Sequence, residues 1–449
     1  MVTNLRDAFT GYHQAEFPAP PEITEVTRVS PRTPCGEYMR RFWHPIALSV
    51  EVTDLPHALR VLNEDLVLFR QPSGQLGLVH RHCVHRGTSL EYGRVEANGI
   101  RCCYHGWLYA ANGEILETPM EPKSSPIRSK VRLGAYPVRE YRGLIFAYMG
   151  PPQYEPEFPI YDTFETPETT YLAAGHRFEA NWFHLIENNF DMAHSVYLHT
   201  LFSGNAQFYD TWGVVPQMEY YETDLGYRYT YSRRIDSKVW VGLEDINFPN
   251  FTQAGAIFSM DGKTTKYFGR GSYSRWVVPV DDVNTRIFVL GHFNDLSDPF
   301  DESYREAANL EIMEVGTRFE RSYEERQREP SDIEAAGSQG KIYLRRNEHL
   351  ATTDRGIALF RKRIRQQIQA LVAGEEPNLP GNNRTGLIPT CAGDIVLEIP
   401  VTPNDGARVA QVARGVMGVY NQSDNLFGTE RQAHIEQHTK NLEENYRLR

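Results

Sequence analysis

The stretch RHCVHRGTSL, residues 81–90, places Cys83 and His85 one residue apart in a polar, turn-like segment. RCCYHGWLY, residues 101–109, repeats the combination with Cys102 and His105. The pattern is Cys83-x-His85, sixteen residues, then Cys102-x2-His105. At the Cys and His frequencies of this chain, chance produces such a pattern in roughly one chain in several thousand. Two Cys and two His in this order therefore need a chemical reason.

At 449 residues, 41% of them hydrophobic, the chain can bury a large core, and its length suggests two or three domains. With 47 basic against 58 acidic residues the formal net charge is -11, which disfavours nucleic acid and anionic lipid as partners. No apolar run approaches the roughly 18 residues of a membrane helix. The start MVTNLRDAFTGYHQAEF lacks the basic head and apolar stretch of a signal peptide, so the expectation is a cytoplasmic protein with no membrane partner. Five cysteines (Cys35, Cys83, Cys102, Cys103, Cys391) are too few and too scattered for a disulfide framework. Those that cluster with His are metal candidates.

The chain divides into four parts. Residues 1–40 form a Pro-rich lead-in. From 41 to 155, short β-rich runs (LVLFR, LGLVH, GIRCCYHGWLYA, GEILE, GLIFAYMG) alternate with turns and predict an all-β unit. PPQYEPEFP, residues 151–159, reads as an extended linker. Residues 156–375 open with a helical stretch, FEANWFHLIENNFDMAHSVYLHT, continue through strand-like YRYTYSRR, GSYSRWVVPV and RIFVLGHF, and predict helices over about 301–328 and 353–373. This is an α+β pattern with an antiparallel sheet. Residues 376–449 are expected to wrap the surface as a tail.

For the opening motifs, zinc is one reading, because Zn²⁺ accepts Cys₂His₂ ligation. Zinc fingers, however, group two Cys on one turn and two His on a helix. Here each hairpin supplies one Cys and one His, so two thiolates can hold one iron and two imidazoles the other, as in a Rieske [2Fe-2S] centre. Gly87 and Gly106 supply the backbone freedom of tight loops. Trp107 either shields the cluster or packs in the core. Cys103 is expected to face the β-core, and Cys35 and Cys391 show no sign of chemistry.

In the second domain, IENNFDMAHSVYLH offers Glu187, Asp191, His194 and His199. Spacings of four and three put Glu187, Asp191 and His194 on one helical face. The step of five to His199 does not continue it, so a π-like widening or a helix break is needed for both imidazoles to reach one ion. A solvated amphipathic helix explains Glu187 and Asn188, but fits less well two His beside an Asp, flanked by Trp182, Phe183, Phe190 and Tyr197.

Taken together, the motifs resemble the large subunit of the Rieske non-haem iron oxygenases, over about residues 25–372. TRVSPRTPCGEYMRRFWHPIAL and RWVVPVDD are similar to the phthalate dioxygenase and dehydrodivanillate O-demethylase branch. The resemblance implies a helix-grip catalytic domain after the Rieske domain, with Cys83, His85, Cys102 and His105 holding the cluster. Thr88 and Tyr104 stand where respiratory-type Rieske proteins carry a disulfide. Asp-x2-His-x4-His matches the mononuclear iron signature, which makes His194 and His199 ligands of Fe(II) beside a carboxylate from far along the chain. Asp332 and Asp354 are the candidates. Asp354 has a structural explanation in the first turn of the following helix, and the resemblance favours Asp332, with EHL following sixteen residues on. Ser331 and Gly337 depart from the usual residues there.

The implied role of Asp191 is to hydrogen-bond an iron-bound His and a Rieske His of a neighbouring subunit, which requires a head-to-tail homotrimer or a dimer of trimers. A separate NADH-fed reductase, with or without a ferredoxin, supplies electrons. The implied reaction uses O₂ to dihydroxylate or monooxygenate, for example to O-demethylate, an aromatic compound. Aromatic residues between 197 and 275 (Phe202, Phe208, Tyr209, Trp212, Tyr220, Trp240, Phe248, Phe251) are candidate pocket or core groups, and no single Arg or Lys stands out for a substrate carboxylate. His44, His80, His82 and His184 read as structural or surface groups. A simple Rieske electron carrier would leave the second set unexplained, and a zinc hydrolase the first.

Overall fold

The computed structural model describes residues 23–202, 208–255, 260–293, 321–343, 348–380 and 386–448. The first half is built of three small antiparallel sheets. One joins Trp43–Leu48, Leu144–Tyr148 and Val138–Tyr141, a second runs His57–Val61, Glu64–Arg70, Leu76–His80 and Ala135–Tyr136, and the third runs Arg94–Glu96, Gly99–Arg101, Leu108–Tyr109 and Ile115–Glu117. The strand Glu64–Arg70 shows how they are tied together. Side chains alternate across a strand: Leu66 and Leu68 enter the main core of the molecule, whereas Val67 and Phe69 enter a smaller core with Cys83, Cys102 and Trp107.

An eight-stranded antiparallel sheet dominates the second half. Its order is Thr170–Phe178, Thr285–Phe293, Tyr273–Pro279, Phe251–Ala254, Lys238–Asn247, Gly226–Ile235, Gln217–Glu222, with Gly393–Glu398 also paired to Lys238–Asn247. The helix Arg355–Val372 covers one face. Its Phe360 packs on Phe183, Phe190 and Phe248 at ring-centroid distances of 5.4, 4.8 and 5.5 Å. Of the predicted 301–328 helix, residues 301–320 lie outside the described residues, and Tyr323–Arg328 is helical.

The expectation of a surface tail is corrected. Ile395 and Leu397 of the strand Gly393–Glu398 join Val239, Val241 and Leu243 in a second core, closed by Val409, Val412, Val416 and Met417 of the helix Asp405–Gln422 and Ile435 of the helix Gly428–Arg447. The polar Pro- and Asn-rich stretch after residue 375 misleads here, because the helix that follows carries apolar residues at i, i+3 and i+7, which must be buried. None of the described helices is long and apolar enough to cross a membrane.

His44 links the two halves. Buried on the strand Trp43–Leu48, it donates through Nε2 to the Met39 carbonyl at 2.7 Å, while Nδ1 accepts from Asn250 Nδ2 at 3.3 Å. Asn250 also donates to the Val277 carbonyl, so no acceptor faces a proton on Nδ1. Burial, against the Met39 bond and with help from Arg40, pulls the His44 pKa down to about 4. The folded pKa lies below that of the unfolded chain, so the unfolded state binds the extra proton and stability is lost as pH falls from about 6.5 towards 4. The expected loss from this residue is about 3 kcal/mol. Denaturation midpoints measured across that window should show a shallower pH slope for His44→Gln.

Candidate metal centres

The two Cys/His loops close in the same way. The Cys83 N–H donates to the Thr88 carbonyl at 2.9 Å and the Gly87 N–H to the Cys83 carbonyl at 2.8 Å. In the second loop Cys102 donates to Trp107 at 2.9 Å and Gly106 to Cys102 at 3.1 Å. Gly87 and Gly106 have φ of 76° and 72°, the left-handed region in which a Cβ is strained. A Cβ at Gly87 would meet nothing within 4 Å, so backbone conformation rather than space selects glycine there.

This closure turns both thiols inward, Cys83 and Cys102 each being 3% exposed, and leaves the imidazoles of His85 and His105 half-buried at the loop tips, 4.6 Å apart. Trp107 lies flat on His85 at 4.7 Å and 6°, so it both packs in the core and covers a ligand. The Tyr109 hydroxyl lies 2.9 Å from Cys83 Sγ. Burial, with Cys83 close by, pushes the Cys102 thiol up, so a bound cation is what would hold it as thiolate. Around one tetrahedral ion, ligand atoms sit about 3.3–3.8 Å apart. Among the described residues one group alone has three such donors mutually within 4.8 Å, and it is not drawn from these loops.

The compact group is His194, His199 and Asp332. Asp332 Oδ1 lies 3.4 Å from His194 Nε2, and Oδ2 lies 3.2 Å from His199 Nε2. The chain brings the imidazoles together by breaking the helix. Trp182–Glu187 is α-helical, Asn188–Phe190 forms a 3₁₀ turn, Asp191 leaves the helical region at φ -117° and ψ 72°, Ala193–Val196 resumes, and Tyr197–Phe202 is a π-helix. His194 Nδ1 contacts the Asp191 backbone carbonyl, an arrangement that turns Nε2 towards Asp332, with Asn188 Nδ2 3.4 Å from it. Asp332 opens the helix Asp332–Gly337, capped by Ser331, whose own N–H bonds Glu334 at 2.8 Å. Burial would raise the Asp332 carboxyl, but His199, then His194 and Arg275, hold it well below the usual carboxylate range. Two neutral imidazoles and a carboxylate suit Fe(II) and leave positions open for other ligands.

Residues 42–141 match the family model of the Rieske [2Fe-2S] domain. The chain is 37% identical over 452 residues to the tert-butanol monooxygenase / tert-amyl alcohol desaturase oxygenase subunit of Aquincola tertiaricarbonis, covering 95% of each chain. It is 39% identical over 390 residues to the phenoxybenzoate dioxygenase subunit alpha of Ectopseudomonas oleovorans, covering 84% of this chain and 91% of that one. The crystal structure of dicamba monooxygenase bound to dicamba shares the fold, with a TM-score of 0.59 at 18% identity over 75% of this chain and 99% of that one. The chain belongs to the Rieske non-haem iron oxygenase large subunits.

Within this oxygenase subunit the sequence-derived residues fall into distinct places. Cys83, His85, Cys102 and His105 share the loop pair, and Asp332 rather than Asp354 meets the two His. Asp354 is structural: its Oδ2 accepts from the Ala351 N–H at 2.6 Å, at the start of the Arg355–Val372 helix. Cys103 is exposed rather than turned to the core, because the strand ends at Arg101 and its alternation ends with it. Thr88 and Tyr104 lie within the loops, with Tyr104 exposed beside Arg86. Glu187 faces away from the iron site and is bridged by Arg361 at 2.7 and 2.8 Å. The Asp191 carboxylate is half-buried, and its main chain, not its carboxylate, meets His194.

Of the aromatic candidates, only Phe208 lines the cavity at the iron site; Trp212, Trp240, Phe248 and Phe251 are core, and Phe202 and Tyr209 are exposed. Three lining residues escaped sequence reasoning. Asn188 Nδ2 donates to Asp332 Oδ1 at 3.0 Å, and Arg275 Nη1 reaches Asn188 Oδ1 at 3.4 Å. Glu244 is buried, and burial pushes its carboxyl up to about 8. The available signal was a charged residue inside an apolar strand, KVWVGLEDIN for Glu244 and YSRWVVP for Arg275. The expected result for Asp332→Asn is loss of one iron of about three per chain with the visible spectrum of the cluster unchanged. Asp354→Asn should keep all of them in the same metal analysis.

Proposed function

We propose that this oxygenase component takes NADH-derived electrons from a separate reductase and uses O₂ to hydroxylate or O-demethylate an aromatic compound in the cytoplasm. The observation that carries this reading is the convergence of His194, His199 and Asp332 on a cavity in a chain that also presents the Cys83, His85, Cys102 and His105 loops. A simple electron carrier has no use for the first set. When bound, the cluster supplies one-electron transfer and Fe(II) supplies O₂ activation.

The chain's own residues do the rest. Cys83 and Cys102 would hold one iron of the cluster and His85 and His105 the other, with the imidazoles at the surface where electrons enter and leave. His194, His199 and Asp332 would hold the mononuclear iron, and Asn188 fixes the carboxylate by its hydrogen bond. Asp191, half-buried at the helix break beside His194, is the group we assign to join this centre to the cluster of a neighbouring copy. That role requires a head-to-tail homotrimer or a dimer of trimers.

Substrate choice follows from the cavity wall. Met192, Phe208, Ala254 and Tyr273 offer an apolar surface, and Arg275, Asn189, Thr252 and Glu244 a polar one. This supports a substrate with an apolar body and one polar or anionic group. Phenoxybenzoate, in the name of one relative, has that character; tert-butanol, in the name of another, is its small aliphatic counterpart.

Anaerobically purified protein should contain about three irons and two acid-labile sulfides per chain and give a Rieske-type EPR signal after dithionite reduction. Zinc without sulfide would sink the reading. Asp191→Asn should retain both metal centres and slow O₂-dependent single turnover about 10–100-fold.

A further inference from the structure

The strand Lys238–Asn247 carries two adjacent acids, and its alternation turns them to opposite faces of the sheet. Val239, Val241 and Leu243 face the C-terminal core, and Asp245 follows them. There it has the partners a buried acid needs: the Cys391 N–H donates to it at 3.1 Å, and Arg228 Nε lies 3.9 Å away. Trp240 and Ile246 face the main core, and Glu244 is on their side. It is 3% exposed, it lines the cavity of His194, His199 and Asp332, and among the described residues no cation forms an ion pair with it.

The groups around Glu244 do not replace the missing cation. Tyr229, its partner across the ladder, donates its hydroxyl proton to the Asn189 carbonyl at 2.8 Å. Arg275 directs Nη1 at Asn188 Oδ1, 3.4 Å away. Asp394, on the neighbouring strand Gly393–Glu398, is a further acid and accepts from Trp240 Nε1 at 2.8 Å. Burial, with Asp394 adding to it and Tyr229 and Arg275 opposing it, pushes the Glu244 carboxyl up to about 8, so near neutral pH it keeps its proton. A Leu on this apolar face would carry no desolvation cost, so stability does not account for an acid here, and its place in the cavity wall points to function.

A neutral carboxyl offers an O–H donor together with an acceptor oxygen, and a hydroxyl group is its complement, because it donates and accepts as well. A carboxylate only accepts, and a hydrocarbon does neither. Nor does the wall call for an anion: among its described residues Arg275 is the one guanidinium, it is turned to Asn188, and it shares the cavity with two acids, Glu244 and Asp332.

We propose that Glu244 is the specificity-determining residue of the iron cavity: its carboxyl hydrogen-bonds the hydroxyl group of an uncharged substrate, an alcohol or a phenol, whose apolar body lies against Met192, Phe208 and Ala254. This rests on the reading of the cavity as the substrate site and narrows the polar end of the substrate to a neutral group that both donates and accepts.

Benzyl alcohol, its isostere ethylbenzene and benzoate are the probes, titrated calorimetrically into metal-loaded protein under nitrogen and without reductase, so that nothing turns over. The readout is the ratio of benzyl alcohol to ethylbenzene affinity. Glu244→Leu should lower that ratio at least about tenfold, by weakening the alcohol and tightening the hydrocarbon, whereas Glu244→Gln, whose amide also donates and accepts, should keep it within about threefold. A merely structural role would move both ligands together. Benzoate should bind the unaltered protein more weakly than the alcohol. An unchanged ratio in Glu244→Leu, or benzoate binding more tightly than benzyl alcohol, overturns the proposal and leaves the cavity as the substrate site; failure of all three probes to bind overturns both readings. Should Glu244→Leu fail to fold, crystals of the unaltered protein soaked in 4-iodobenzyl alcohol decide. A hydroxyl within hydrogen-bond distance of Glu244, with iodine at the far end, supports the assignment, and the reversed orientation or an empty iron cavity rejects it.

Discussion

The five-residue step from His194 to His199 is the constraint on which the catalytic half depends. On an α-helix, residues five apart point about 140° away from each other, so one ion cannot take both imidazoles. A π-helix, with its i to i+5 repeat, brings them to one side, and Tyr197–Phe202 adopts it; Thr200 Oγ1 even bonds the Ser195 carbonyl five residues back, at 3.1 Å. Breaking a helix frees carbonyls that must find new donors. The sheet supplies them: Tyr229 donates to the Asn189 carbonyl at 2.8 Å and Tyr220 to the Phe190 carbonyl at 2.7 Å. Upstream, Arg361 clamps Glu187 and Glu348 to the long helix. Removing one member would leave a buried charge unpaired, at about 3–5 kcal/mol. The irregular backbone is thus held from both sides, and the ligand geometry is a property of the whole domain.

The loop pair obeys a different constraint, namely that two buried thiols and two half-exposed imidazoles must face one another across a gap. Equal loop closure around positive-φ glycines achieves this with short-range bonds alone. What anchors the loops to the rest is the strand Glu64–Arg70. Glu64, held near a pKa of about 2 against its burial by His80, Tyr136 and Arg40, bonds Arg40 at 2.7 Å and Tyr136 at 2.7 Å. Arg40 in turn caps the Leu62, Gly36 and Val29 carbonyls. From there the chain is tied to the catalytic domain, where Asp282 accepts from the Val29 N–H at 2.9 Å and the Pro279 carbonyl from the Leu62 N–H at 3.0 Å.

Legibility in the sequence followed range. The Cys/His motifs and the His-x4-His step are local, so residue type and spacing pointed to the Cys/His loops and to the need for a π turn, while the reading of His194 and His199 as iron ligands came from the family resemblance. Asp332 is remote, and spacing could not separate it from Asp354; family resemblance pointed to it, and the fold brings it to the imidazoles. Asn188, in the turn between two helical segments, showed no ligand-like spacing, and the strand residues Glu244 and Arg275 were illegible for another reason. Whether a polar residue on a strand is solvated or buried depends on which face the closed sheet turns inward, which alternation alone does not reveal. The misjudged C-terminal segment had a readable signal in the apolar spacing of Val409, Val412 and Val416, masked by its polar approach.

Glu244 and Arg275, with Asn188, also set the electrostatics of the iron cavity. Glu244 is pushed up mainly by burial, with Asp394 adding to the shift and Tyr229 and Arg275 opposing it, so near neutral pH it is largely uncharged. Arg275 then has one formal anion, Asp332, to balance it, and reaches that anion only through Asn188. Its Nε remains buried without a partner. A divalent iron at His194, His199 and Asp332 would add positive charge to this cavity, in a protein whose formal net charge is -11. A largely neutral Glu244 in the wall of this cavity can act as both hydrogen-bond donor and acceptor, which a carboxylate cannot.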